Sequence, residues 1–84
     1  MIDADLRRLV LDALAGVAPE LDEASLAPNK SFRDQLDIDS MDFLNLVTAL
    51  SERLKIDIPE IDYPKLATLG HAVDYLLQRL GAGA

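Results

Sequence analysis

Ser40 stands between Asp39 and the pair Met41-Asp42, where an irregular stretch gives way to helical periodicity. Its hydroxyl has two possible uses there. Serine is a preferred N-cap, and its oxygen can accept a hydrogen bond from a free N–H of the first turn. If Asp39 takes the cap instead, Ser40 stays free in that turn and is open to esterification. A phosphate ester at that point would meet unpaired N–H groups and the positive end of the helix dipole, which both favour negative charge. The residues alone leave both uses open. Other chemistries fit less well. With Asp37 as position 1 of a calcium loop, Asp42 falls where a glycine is required and Thr48 where a bidentate glutamate belongs. A hydrolytic triad would need His71 as its base, yet His71 lies opposite the apolar stripe of its helix, and no Gly-x-Ser-x-Gly elbow is present. The chain has no cysteine and this one histidine, which excludes thiolate and histidine-cluster zinc sites. No catalytic residue and no metal ligand set is expected.

The elements that would position Ser40 follow from apolar spacing. Leu6, Leu9, Val10, Ala13, Leu14 and Val17 trace one face of a first helix that Asp3 can cap and Pro19 closes. Residues 18–38 hold no sustained period and read as a long loop with one short helical turn at Phe32 to Leu36. Leu21, Leu26, Phe32 and Leu36 anchor it. A middle helix is predicted from Ser40 to Lys55, ended by the extended geometry that precedes Pro59. On its wheel Phe43, Leu46, Val47, Leu50 and Leu54 cluster within roughly 100° and face inward. Met41 and Leu44 fall on the outward half with Asn45, Thr48 and Glu52, and so either form a docking patch or pack under the preceding loop. One more turn is expected near Asp62 to Leu66. Thr68 then caps a last helix in which Leu69, Ala72, Val73, Leu76, Leu77 and Leu80 keep the helical spacing until Gly81. The fold expected is all-α: a small bundle of three longer helices and one short one, forming a single domain over 1–84 with a flexible tail at 81–84. Its core should hold Leu6, Val10, Leu14, Phe43, Leu46, Val47, Leu50, Leu54, Val73, Leu76, Leu77 and Leu80.

Charge narrows the partners. A net charge of -7 on 84 residues repels nucleic acid and anionic membrane surfaces and favours partners with basic patches. The start, Met1-Ile2-Asp3-Ala4-Asp5, lacks a basic leader, and no apolar run is long enough to span a bilayer. A cytoplasmic monomer is the expectation.

The run "DIDSMDFLNLVTALSERLKIDIP" resembles the acyl carrier proteins, in which a 4'-phosphopantetheine arm from coenzyme A is attached to the serine of an Asp-Ser-Leu motif at the start of the second principal helix. The motif here reads Asp39-Ser40-Met41, and the likeness continues through Ile-x-Ile-Pro to "TLGHAVDYL". The resemblance implies a non-catalytic carrier with the arm on Ser40 and with Asp39 and Met41 as motif neighbours. It implies that Met41, Asp42, Leu44, Asn45, Thr48 and Glu52 meet partner enzymes: a phosphopantetheinyl transferase, and a loading ligase, synthase or acyltransferase with basic docking patches. If the bundle encloses its cargo, Leu46, Leu50, Ile58, Ile61 and Leu66 should line the cavity. Departures from the housekeeping pattern are Met41 for leucine, Asn45 for a glutamate and the added positive charge of Arg53. They point to a specialised carrier of an acyl or aminoacyl group in a dedicated lipid or secondary-metabolite pathway. The motif is also similar to that of the D-alanyl carriers. The alternative is an acidic helical interaction module whose Ser40 stays unmodified.

Overall fold

The computed structural model describes residues 3–81. Four α-helices follow one another: α1 Asp3–Val17, the short α2 Phe32–Leu36, α3 Ser40–Leu54 and α4 Leu69–Gly81. Two 3-10 segments join them, Glu23–Ser25 after α1 and Glu60–Leu66 before α4. No strand forms among the described residues. α1 packs on both α3 and α4, and the second 3-10 segment packs on α4.

Leu6, Val10, Leu14, Leu46, Val47, Leu50, Val73 and Leu76 are buried, as their spacing predicts. Phe43, Leu54, Leu77 and Leu80 are only half-buried and flank the core: Phe43, Leu54 and Leu80 lie in the terminal turns of their helices, and Leu77 lies at the edge of the α4 apolar stripe. Phe32 and Leu66, from the connecting segments, are fully buried in their place. Asp3 is the first described helical residue rather than a cap ahead of the helix, and Gly81 is the last residue of α4 rather than its stop. The remainder of the expected tail, 82–84, lies outside the described residues, as do Met1 and Ile2.

The long loop is ordered by polar clamps rather than by apolar periodicity. Asp22 caps the first 3-10 turn by accepting from Ala24 N at 3.2 Å, and Arg8 on α1 pairs with Glu23 within that turn. The Gln35 amide accepts from Ala27 N at 2.7 Å and donates to the carbonyls of Ala27 and Lys30, both at 2.9 Å. The loop then meets α4. Gly70 N donates to the Pro28 carbonyl at 2.9 Å, and a Cβ at residue 70 would sit 3.1 Å from that oxygen, so glycine permits the approach.

The second 3-10 segment is tied to α4 by a compact network. The Tyr75 hydroxyl donates to Asp62 Oδ2 at 2.7 Å and accepts from Arg79 at 2.7 Å, while Arg79 also donates to the Asp57 carbonyl at 2.7 Å. That tyrosine bond holds the Asp62 carboxyl below its ordinary range, and burial raises the Tyr75 phenol. The Asp62 contribution to stability is complete above its unfolded value near 3.8 and is lost as pH falls through the depressed folded value. The Tyr75 contribution is complete below its unfolded value near 10.0 and is lost as pH rises through the raised one. Tyr75→Phe should therefore flatten both the acid and the alkaline edges of the stability profile in urea titrations. Identical edges in wild type and variant would show that the network carries no pH linkage.

Candidate functional site

The start of α3 decides how Ser40 is used. Asp39 has extended backbone geometry and is the N-cap. Its Oδ1 accepts from Asp42 N at 2.9 Å, and Asp42 Oδ2 accepts from Asp39 N at 3.3 Å, closing a reciprocal capping box. Ser40 supplies neither capping oxygen. It is the first helical residue, exposed, at the positively polarised end of a 15-residue helix.

The outward face of α3 is open. Met41 is 64% and Leu44 41% exposed, and Asn45, Thr48 and Glu52 are exposed beside them. Of the two expectations for Met41 and Leu44, packing under the preceding loop is not realised, since both stay exposed. Asp42 is half-buried, held by the capping box. The Thr48 hydroxyl donates to the Leu44 carbonyl at 2.9 Å and so is occupied by its own helix.

Between the first turn of α3 and the second 3-10 segment lies a cleft of about 410 Å³, with Arg33, Ser40, Phe43, Leu44, Glu60 and Tyr63 on its walls. Behind it, Leu46, Leu50, Ile58 and Leu66 are buried in contact with the core. Ile61 does not join them. It is 84% exposed, because Leu66 is the residue through which the tighter 3-10 turns bury the segment. A larger, more open depression of about 820 Å³ lies on the far side of that segment, against α4. Its walls include Asp62, Tyr75 and Arg79, which already bond one another, and the exposed His71; Ser40 is not among them.

An exposed hydroxyl that is free of the cap and sits at the lip of a cleft suits a group attached through an ester oxygen. Comparison with known proteins agrees. Residues 8–76 match the family of phosphopantetheine attachment sites. The chain is 34% identical over 77 residues to the acyl carrier protein of Picosynechococcus, an alignment covering 92% of this chain and 89% of that one. The chain belongs to the acyl carrier protein family. The carrier is likewise 37% identical over 75 residues to the acyl carrier protein of Kineococcus radiotolerans, covering 86% of this chain and 93% of the relative. Its fold matches a solution structure of a protein assigned as an acyl carrier protein in Anaplasma phagocytophilum, with a TM-score of 0.81 at 23% identity over 94% of this chain and 92% of that one. As a family member the carrier bears a covalently attached 4'-phosphopantetheine, is not itself catalytic, and is served by a phosphopantetheinyl transferase and acyl-handling enzymes. No helix among the described residues is long and apolar enough to cross a membrane.

Proposed function

We propose that Ser40 carries the arm and that the chain presents an acyl or aminoacyl group to the enzymes of a dedicated lipid or secondary-metabolite pathway. The capping box carries this reading: with Asp39 and Asp42 satisfying the first turn, Ser40 Oγ is left without a structural duty. That oxygen would attack the β-phosphorus of coenzyme A. The new Oγ–P bond forms as the pyrophosphate bond breaks, adenosine 3',5'-bisphosphate leaves, and a base of the transferase takes the serine proton. The attached arm supplies a terminal thiol that holds cargo as a thioester. Tethering raises the cargo's effective concentration at whichever enzyme docks. Incubation with coenzyme A and a broad-specificity transferase should add roughly 340 Da to the intact mass. An unchanged mass would favour the interaction-module alternative, which no specific observation now supports.

The specialised role rests on the face of α3. Asp42 and Glu52 remain for basic patches, but the neutral Asn45 lies between them, so docking leans more on the exposed Met41 and Leu44. Asn45→Glu should improve use by general fatty-acid synthases and impair use by the carrier's own partner, since specificity is a difference of affinities. A steady-state comparison with both enzymes, in which neither rate moves, would remove the basis for a dedicated pathway. If cargo is enclosed, its wall is Leu46, Leu50, Ile58 and Leu66, without Ile61. Amide shifts at those four residues on acylation distinguish enclosed from external cargo.

A further inference from the structure

Several charged side chains surround Ser40, and all but one are acidic. Asp39 and Asp42 frame it in the capping box, Asp37 precedes it in the chain, and Glu60 lies across the cleft. A phosphodiester on Ser40 would add a further negative charge to this group, at separations where such repulsion is felt. The first-turn N–H groups of α3 offset part of it. The cation on the cleft wall is Arg33.

Arg33 is set to meet that charge. Its backbone N–H donates to the Ser31 hydroxyl at 3.1 Å, the cap of α2. Its neighbour Phe32 is fully buried and donates its N–H to the Ala67 carbonyl at 2.8 Å, which fixes the base of the Arg33 side chain beside the cleft. Three other cations are engaged, Arg8 with Asp12 and Glu23, Lys65 with Asp62, and Arg79 with Tyr75 and the Asp57 carbonyl, whereas Arg7, Lys30, Arg53 and Lys55 form no ion pair among the described residues but do not line this cleft. Arg33 forms no ion pair among the described residues, not even with Glu60 on the same cleft.

We infer that Arg33 is the positioning residue for the arm, its guanidinium pairing with the free oxygens of the phosphodiester on Ser40 and drawing the arm's base into the cleft beside Phe43, Leu44 and Tyr63. A planar fork of donors suits this better than an ammonium, because two parallel N–H bonds to one phosphate fix direction as well as charge. The inference rests on Ser40 being the attachment residue, and the test separates the two. The carrier is converted with coenzyme A and a transferase, checked by intact mass, and followed by 31P and 1H-15N NMR. The Arg33 Nε–Hε resonance of the wild type should move on conversion. The 31P resonance of modified Arg33→Ala should be displaced from the wild-type position, with Arg33→Lys between them. Added salt should move the wild-type 31P signal toward that of the alanine variant. Failure to gain mass would overturn the attachment and this inference together. Mass gain with a stationary Arg33 Nε–Hε signal and coincident 31P resonances in wild type and Arg33→Ala would overturn the inference alone.

Discussion

Ser40→Ala should abolish the mass gain on treatment with coenzyme A and transferase while shifting the unfolding free energy by less than about 0.5 kcal/mol. The two readouts discriminate because they depend on different atoms. Were Ser40 the cap of α3, its loss would cost about 1 kcal/mol. The cap is Asp39, so the serine oxygen can be removed without leaving an N–H of the first turn unpaired. Ser31 provides the counterpart. Its hydroxyl caps α2 by accepting from Arg33 N, so Ser31→Ala should lose about 1 kcal/mol and still gain the full mass. A Ser40→Ala protein that still gains mass would move the attachment to another residue. One that loses stability as Ser31→Ala does would make Ser40 a structural residue.

Phe32→Ala is expected to have the largest effect on folding, a loss of ~3–5 kcal/mol in urea titration. A domain of 84 residues has a total stability on the order of 4–13 kcal/mol, so most of it could go. Phe32 is 0% exposed and sits in a helix of 5 residues, too short to hold itself together by backbone bonds. Emptying its site leaves a cavity and removes the packing that holds the main-chain bond from residue 32 N to Ala67 O, which joins the long loop to the entry of α4. The protein should then retain helical circular dichroism from α1, α3 and α4 only at low urea. A loss under about 1 kcal/mol would mean that the neighbours collapse into the space.

The longer helices were legible because their apolar residues recur at the helical period. The inward set Leu46, Val47 and Leu50 and the outward pair Met41 and Leu44 both follow from one wheel. Ser40 was legible as a candidate, but choosing between cap and free hydroxyl was not possible, since Asp39 and Ser40 are equally good caps by residue type. The choice depends on the reciprocal bond to Asp42, which is a matter of geometry. The Gln35 clamp and the Asp22 cap have no signature in the sequence because single polar residues bonding across a loop leave no periodic trace. Ile61 was misplaced for a related reason: an isoleucine beside Ile58 reads as core, whereas the 3-10 segment turns it to solvent. Nothing in the sequence sets Arg33 apart, and its place on the cleft with Ser40 emerges only once α2 folds back against the residues that precede α4.

Two helices end at residues that are unusual in left-handed backbone geometry, Asp37 after α2 at φ 46° and Lys55 after α3 at φ 55°. Glycine has no Cβ to crowd the following carbonyl there, whereas another residue bears a penalty on the order of 1 kcal/mol. Each is an untapped source of thermal robustness, reduced somewhat because glycine also loosens the unfolded chain. The two positions differ in what relief would entail. Lys55 lies at the end of α3 remote from Ser40, so hardening the protein there leaves the attachment end of the helix alone. Asp37 contributes a carboxylate to the approach to Ser40, so easing its backbone would also rewrite the field that an incoming enzyme meets. Robustness can thus be tuned independently at one end of α3, while at the other it is coupled to the carrier's choice of partners.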